Sequence, residues 1–175
     1  MAKIKLNNVR LSFASLFKKA TFGGEETKFE GTFLIDKDTQ ADQIATISAA
    51  ITAMLTEKKA LKLGPDRICL KDGDSIEYEG YAGMMSIKAS NAKRPIVIDR
   101  DKSPLAEEDG RPYSGSYVNC VLELWFQDNT WGKRVNANLL AVQFVRDGEA
   151  FGDGGAGASA DDFDVVEGED DDNLF

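Results

Sequence analysis

Tyr117-Val118-Asn119-Cys120-Val121-Leu122-Glu123-Leu124-Trp125-Phe126-Gln127 is followed by Asp128-Asn129-Thr130-Trp131-Gly132-Lys133 and then by a second strand-like run over residues 134–146. The first stretch alternates without a break. Val118, Cys120, Leu122, Leu124 and Phe126 share one side of an extended chain, while Tyr117, Asn119, Val121, Glu123, Trp125 and Gln127 share the other, because successive side chains of a strand point to opposite faces. Arg134, Asn136 and Asn138 continue the alternation beyond the polar segment. Two long runs joined in this way predict a β-hairpin with one face in a core and large aromatics on the other.

Upstream, Ile4 and Leu6, then Val9, Leu11 and Phe13, form two alternating sets offset by one residue, which predicts a strand bulged near Asn7-Asn8. Residues 14–27 read as a loop containing Gly23-Gly24, with Lys18 and Lys19 exposed. Phe29, Gly31, Phe33 and Ile35 share a face of a second strand, opposite Lys28, Glu30 and Thr32. Thr39 and Asp42 resemble a capping box with Asp in place of Glu. Ile44, Ile47, Ile51, Met54 and Leu55 then recur at helical spacing, so an amphipathic helix is predicted over residues 39–60, stopped by Gly64-Pro65. Shorter strands are expected over 67–70, 80–89 and 95–98, and a long polar loop over 99–116, the kind of segment that often carries function. The chain is therefore expected to be mainly β with one inserted helix, an OB-fold-like small β-barrel. Composition alone does not exclude a β-sandwich with a covering helix.

Charge is divided unevenly. Residues 147–175 hold 11 acidic side chains and no basic one, whereas residues 1–146 hold all 21 Lys and Arg against 19 Asp and Glu, a surplus of two. The expected organisation is a folded domain over 1–150 and, over 151–175, a flexible Gly-rich linker leading into a disordered acidic tail. A near-neutral body with such an arm suggests a protein that handles a polyanion. A plain solubility tail is the simpler alternative, but it has no use for an apolar end. Asp170, Asp171, Asp172, Leu174 and Phe175 are accordingly read as partner-binding residues.

Several classes are not expected. No apolar run approaches the roughly 18 residues of a membrane span, and the N-terminus alternates instead of presenting a signal-peptide core. Cys69 and Cys120 lie in apolar strand-like contexts and read as free thiols of a reducing compartment. The chain has no histidine, which removes the commonest general base and metal ligand. Asp99, Asp101, Glu107, Glu108 and Asp109 could serve a metal-dependent nuclease, but such ligands converge from separate elements and these crowd one loop. No enzyme activity and no cofactor are expected.

The outer face of the hairpin suggests chemistry. Tyr117 and Trp125 stand about 26 Å apart along a strand, so each could stack a different base. Packing of Trp125 under the 99–116 loop or against a second subunit is the structural alternative. Arg134 begins the partner strand beside Trp131 and Lys133; Lys88 follows Tyr81 on another strand, and Lys93 and Arg94 follow in a loop. Cations interleaved with aromatics suit a groove for single-stranded nucleic acid.

The run Tyr113-Ser114-Gly115-Ser116-Tyr117-Val118-Asn119, then Trp125, Asp128-Asn129, Gly132-Lys133 and Val142-Gln143-Phe144-Val145-Arg146-Asp147-Gly148-Glu149-Ala150-Phe151-Gly152 resembles a bacteriophage family once known only as a domain of unknown function. Characterised members, typified by one from an Enterobacter phage, are OB-fold single-stranded DNA-binding proteins. The resemblance extends upstream through residues 28–35, and the tail resembles those of T7-type single-strand binding proteins. It implies sequence-independent binding of single-stranded DNA during phage replication or recombination in the host cytoplasm, without catalysis. Tyr81, Lys88, Lys93, Arg94, Tyr117, Trp125, Trp131, Lys133 and Arg134 are the expected DNA contacts. The tail is expected to compete with DNA and to recruit phage or host replication proteins; self-association is left open. The rival reading is an acidic DNA mimic that blocks a host DNA-binding enzyme.

Overall fold

The computed structural model describes residues 2–152 and Val166. Strand β1 (Ala2–Ser15) buries Ile4 and Leu6 and, after slipping by one residue, Val9 and Leu11. The slip is a bulge between Leu6 and Val9, with Asn8 at φ 55°, a left-handed setting that Asn tolerates better than most residues. Residues 14–27, expected to be a loop, contain the end of β1 and a two-stranded arm, β2 (Thr21–Phe22) and β3 (Glu25–Glu26). β4 (Phe29–Asp36) pairs antiparallel with β1 on one side and with β6 (Met84–Asn91) on the other.

β8 (Tyr117–Asn129) and β9 (Gly132–Arg146) form the long hairpin, and β8 also pairs with β1. β6 meets β9 in parallel at Ser90 and Asn138. That contact closes a ring β1-β4-β6-β9-β8, in which the third and fifth strands are neighbours and the fourth returns to the first. The ring is the five-stranded barrel of an OB-fold. On the N-terminal side of Ser90 and Asn138 the two parallel strands part, and the chain before β5 (Leu70–Asp72) fills the gap. There the Cys69 N–H donates to the Val135 carbonyl at 3.0 Å, and the Cys69 carbonyl accepts from the Lys88 N–H at 3.4 Å. β7 (Ile96–Ile98) adds to the far edge of β9.

The barrel is filled by Leu6, Leu11, Phe33, Ile35, Ile87, Leu122, Leu124 and Leu139, all fully buried. Helix α1 (Ala41–Glu57) adds Ile47, Ile51, Met54 and Leu55 to that core. It is shorter than expected at both ends. The Thr39–Asp42 capping box does not form: Gln40 is the N-cap and makes no side-chain cap bond. Its carboxamide instead donates to the carbonyls of Asn7 and Asn8 at 3.2 and 2.9 Å, so the helix start is tied to the β1 bulge. At the other end Lys59, at φ 55°, stops the helix ahead of Gly64-Pro65. The strand expected over 80–89 begins only at Met84 because the chain turns at Gly80 and Gly83, both with positive φ.

A smaller cluster lies outside the barrel, where Leu34, Tyr81 and Phe151 pack with Phe13, Ile76 and Met84. Phe151 is clamped. Its N–H donates to the Ser114 carbonyl at 3.0 Å, and the Arg10 guanidinium lies 4.0 Å from its ring centre. Gly80 comes so near that a Cβ there would sit 2.5 Å from the Phe151 ring. Described packing therefore runs through Phe151, one residue past the expected domain edge at 150. Asp170, Asp171, Asp172, Leu174 and Phe175, expected from the sequence to bind partners, lie outside the described residues. Both cysteines are free. No described helix is long and apolar enough to cross a membrane.

Candidate nucleic-acid interface

The outward side chains of four strands come together over the parted side of the barrel. Thr32 and Glu30 come from β4, Ser86, Lys88 and Ser90 from β6, Trp125 and Gln127 from β8, and Arg134, Asn136 and Asn138 from β9. The strand registers explain the grouping: Thr32 pairs with Lys88, Ser90 with Asn138, Trp125 with Asn136, and Gln127 with Arg134. These side chains line an open cleft of about 620 Å³ whose end wall is the segment Asp66, Arg67, Ile68 and Cys69. The cleft thus opens where β6 and β9 diverge.

Its charge is lopsided. Five cations, Lys28, Arg67, Lys71, Lys88 and Arg134, face two carboxylates, Glu30 and Asp66. That local excess exceeds the surplus of two over residues 1–146, so the positive charge of the body is gathered here. Neutral acceptors position most of these cations. Arg67 donates to the Trp131 carbonyl at 3.2 Å, Lys71 to the carbonyls of Pro65 and Asp66 at 3.4 and 3.3 Å, and Arg134 to the Asp66 carbonyl at 3.5 Å. A carbonyl fixes a cation without cancelling its charge, which leaves it available to a phosphate. Of these five cations only Lys88 meets a carboxylate among the described residues, Glu30 at 3.4 Å. That bond is long and Lys88 is largely exposed, so the pair is easily exchanged for another anion.

Aromatic rings supply the rest of the lining. Trp125 is half-buried beside Asn136. Tyr78 is 58% exposed and stands edge-on to Phe13 at 4.9 Å and to Tyr81 at 5.4 Å. Trp131 is 80% exposed at the hairpin tip next to Lys133, and the Arg67–Trp131 bond ties that tip to the cleft rim.

Not all the sequence-expected contacts converge. Lys88, Trp125 and Arg134 line the cleft, Trp131 is tied to its rim through Arg67, and Lys133 is exposed on the hairpin without lining the cleft. Tyr81 requires a correction as a stacking residue: only 2% of it is exposed, and its hydroxyl donates to Ser12 Oγ at 3.0 Å, so it forms the cleft floor without offering a face. Tyr117 lies elsewhere, its ring between the guanidiniums of Arg146 at 3.7 Å and Arg10 at 5.7 Å. Lys93 and Arg94 sit on the turn after β6, with Arg94 5.5 Å from the Phe17 ring, and do not reach the cleft. Lys28, Arg67, Lys71 and Tyr78 line the cleft and are not among the expected contacts. Tyr78 is hidden in sequence between Glu77 and Glu79 in a stretch with no period, while Arg67 lies in the inserted 66–69 segment and Lys71 in β5 just after it.

Three carboxylates of the 99–116 loop serve the loop itself, while Glu107 pairs with Lys18 at 3.2 Å. Asp99 pairs with Arg111, Asp101 accepts from the Ser103 N–H and hydroxyl, and Asp109 accepts from the Ala106 N–H at 2.7 Å. Arg111 and Ser103 hold Asp99 and Asp101, respectively, below the ordinary carboxylate range. Among the described residues no group of His, Cys, Asp or Glu is placed to hold a metal ion. Burial pushes the Cys69 thiol up to about 11 and that of Cys120 further still, so neither is a ready nucleophile.

A family model described as Enterobacter phage Enc34, ssDNA-binding protein, matches residues 2–175. Protein p50 of Acyrthosiphon pisum secondary endosymbiont phage 1 is 48% identical over 173 residues, covering 93% of this chain and 92% of that protein. Among solved structures, the single-stranded DNA-binding protein of bacteriophage Enc34 in complex with ssDNA superposes with a TM-score of 0.79 at 35% identity, over 86% of this chain and 89% of that one. Gp2.5, a single-stranded DNA-binding protein of bacteriophage T7, reaches a TM-score of 0.50 at 16% identity over 88% of this chain and 97% of that one, a likeness of fold alone.

Proposed function

The chain belongs to the Enterobacter phage Enc34 ssDNA-binding protein family, and from that premise we propose that it binds single-stranded DNA in the cleft across β4, β6, β8 and β9. One observation carries the placement: cations held by neutral carbonyls surround two accessible rings, Trp125 and Tyr78, in a single groove. Phosphates meet Lys28, Arg67, Lys71, Lys88 and Arg134. Bases stack on Trp125 and Tyr78, with Trp131 and Lys133 extending the path past the rim. Stacking and phosphate contact do not read base edges, so binding is independent of sequence. Titration of oligo-dT followed by tryptophan emission across salt tests this; unchanged emission with no salt dependence would refute it.

The same reading assigns the acidic tail a competing role. The Phe151 clamp against Tyr81 and Gly80 sets the tail's origin beside the Tyr78 end of the cleft. Nine acidic side chains follow that clamp and, tethered there, act at an effective concentration of order mM. They occupy the groove when DNA is absent, and DNA displaces them, freeing Leu174 and Phe175 for replication proteins of the phage or host. The chain acts as a binding protein with no chemistry of its own, in the host cytoplasm, during replication or recombination.

A further inference from the structure

The outer face of β1, β8, β9 and β7 carries an apolar island that has no part in the cleft. One row crosses all four strands: Lys5 pairs with Val121, Val121 with Ala141, and Ala141 with Ile96. The β8–β9 register slips beside it. Val121 faces Ala141 while Leu122 faces Leu139, so Leu140 is the extra residue of a bulge. Leu139 and Val142 stay buried in the core, which leaves two consecutive side chains, Leu140 and Ala141, outside it. Strict alternation would have put only one there. Ile96 is 64% exposed, and Val121, Leu140 and Ala141 are half-buried. The island stops where polar pairs resume, Asn119 with Gln143 at 3.0 Å on one side and Glu123 with Asn138 at 3.5 Å on the other. A contiguous apolar patch with a polar rim marks an interaction site, which single exposed side chains do not.

Two exposed cations, Lys3 and Lys5, flank the island on β1, and among the described residues neither is in an ion pair. The occupant that fits is therefore apolar and acidic. This chain holds such a stretch, Asp161-Asp162-Phe163-Asp164-Val165-Val166, three apolar side chains among three carboxylates. Val166, the described residue of that stretch, is 76% exposed. Reach is sufficient. Val121 lies roughly 13 Å along β8 from Tyr117, and the Tyr117 and Phe151 rings both contact Arg10. From the Phe151 clamp, residues 152–163 can span about 40 Å.

We propose that residues 161–166 dock on this island of their own chain, with Phe163, Val165 and Val166 covering Ile96, Leu140 and Ala141 and the carboxylates facing Lys3 and Lys5. Docking goes beyond the competing role given to the tail, and only its effect on DNA rests on that role. With residues 161–166 anchored, the free tether shortens from the 24 residues after Phe151 to the nine of 167–175. Trp125 lies on the same outer face of β8, roughly 13 Å beyond Val121, so the terminal acidic run is held beside the cleft. Effective concentration falls as about the −3/2 power of tether length, so docking raises that of the acidic run about fourfold.

The test is a reciprocal pair of substitutions in the full chain, Phe163→Ala in the tail and Ile96→Ser on the island, read by amide chemical shifts of the ¹⁵N-labelled proteins. Phe163→Ala should move the signals of Lys5, Val121 and Ala141, and Ile96→Ser should move those of Phe163, Val165 and Val166. Both sets of movements should be the same at tenfold dilution. Movements that vanish on dilution would assign the island to the tail of a second copy and overturn docking within one chain. Movement in Phe163→Ala at cleft residues such as Lys71 and Arg134, without movement on the island, would place the segment in the groove and overturn the proposal, as would no movement at all. Each variant should also raise affinity for oligo-dT at low salt by up to about fourfold, and the double variant no further. Reciprocal shifts with unchanged affinity would leave docking standing and remove the competing role of the tail.

Discussion

Trp125 and Tyr81 show how far one side chain can be read from the sequence. Strict alternation from Val118 to Phe126 placed Trp125 on the outer face, and it lies there, lining the cleft. Tyr81 looked equivalent on paper, but turns at Gly80 and Gly83 carry it out of the strand and under the groove, where it finds Ser12. No local pattern encodes a hydroxyl partner 69 residues away. The two residues should separate experimentally. Trp125→Ala should cost about 1–3 kcal/mol of affinity for oligo-dT with little change in melting temperature. Tyr81→Phe should do the reverse, losing about 1 kcal/mol of stability in urea unfolding with DNA affinity preserved. Tyr78→Ala should resemble Trp125→Ala.

Elements were more legible than single contacts. The β8–β9 hairpin, the β1 bulge and the helix all stand where apolar spacing put them, because each buries a continuous stripe against one core. The arm at residues 21–26 was not legible, since a stretch without buried residues leaves no periodic trace. The helix cap failed for a different reason: Gln40 gains more by satisfying the carbonyls left open at the β1 bulge than a local box could offer. The 99–116 loop carries a pH prediction. Asp99 is held below its ordinary value by Arg111 and by the Arg100 N–H. Its contribution to loop order is therefore fully present above the ordinary aspartate value of about 3.9 and is lost as pH falls through the lowered one. Amide chemical shifts of Arg100 and Ser103 should stay constant from neutral pH to about 5 and move only in the acid range, while Asp99→Asn should displace them at every pH.

For the whole molecule, the balance of charge is what the sequence conveyed best and located least. The surplus of two in the body gave no hint that five cations share one cleft, since that convergence depends on where β6 and β9 part. Deleting residues 153–175 should raise affinity for single-stranded DNA at low salt, with the difference shrinking as salt rises, measured by anisotropy on both proteins. Equal affinities at low salt would remove the tail from the mechanism. A DNA-mimic role predicts instead that the shortened chain binds no DNA.

The ring of strands is joined at its parallel edge by one register pair, Ser90 with Asn138, and beyond it by the borrowed Cys69 bridge. Every other barrel neighbour is laced by a longer ladder. A barrel with one thin stave joint should spring there first. The groove runs directly across it, with Lys88 and Ser90 on one bank and Asn136 and Asn138 on the other. A strand lying in the groove is thus a hoop drawn over the weakest joint. Saturating oligo-dT should raise the melting temperature by mass action, and the protection it confers on slow amide exchange should be greatest at Lys88, Cys69 and Asn138.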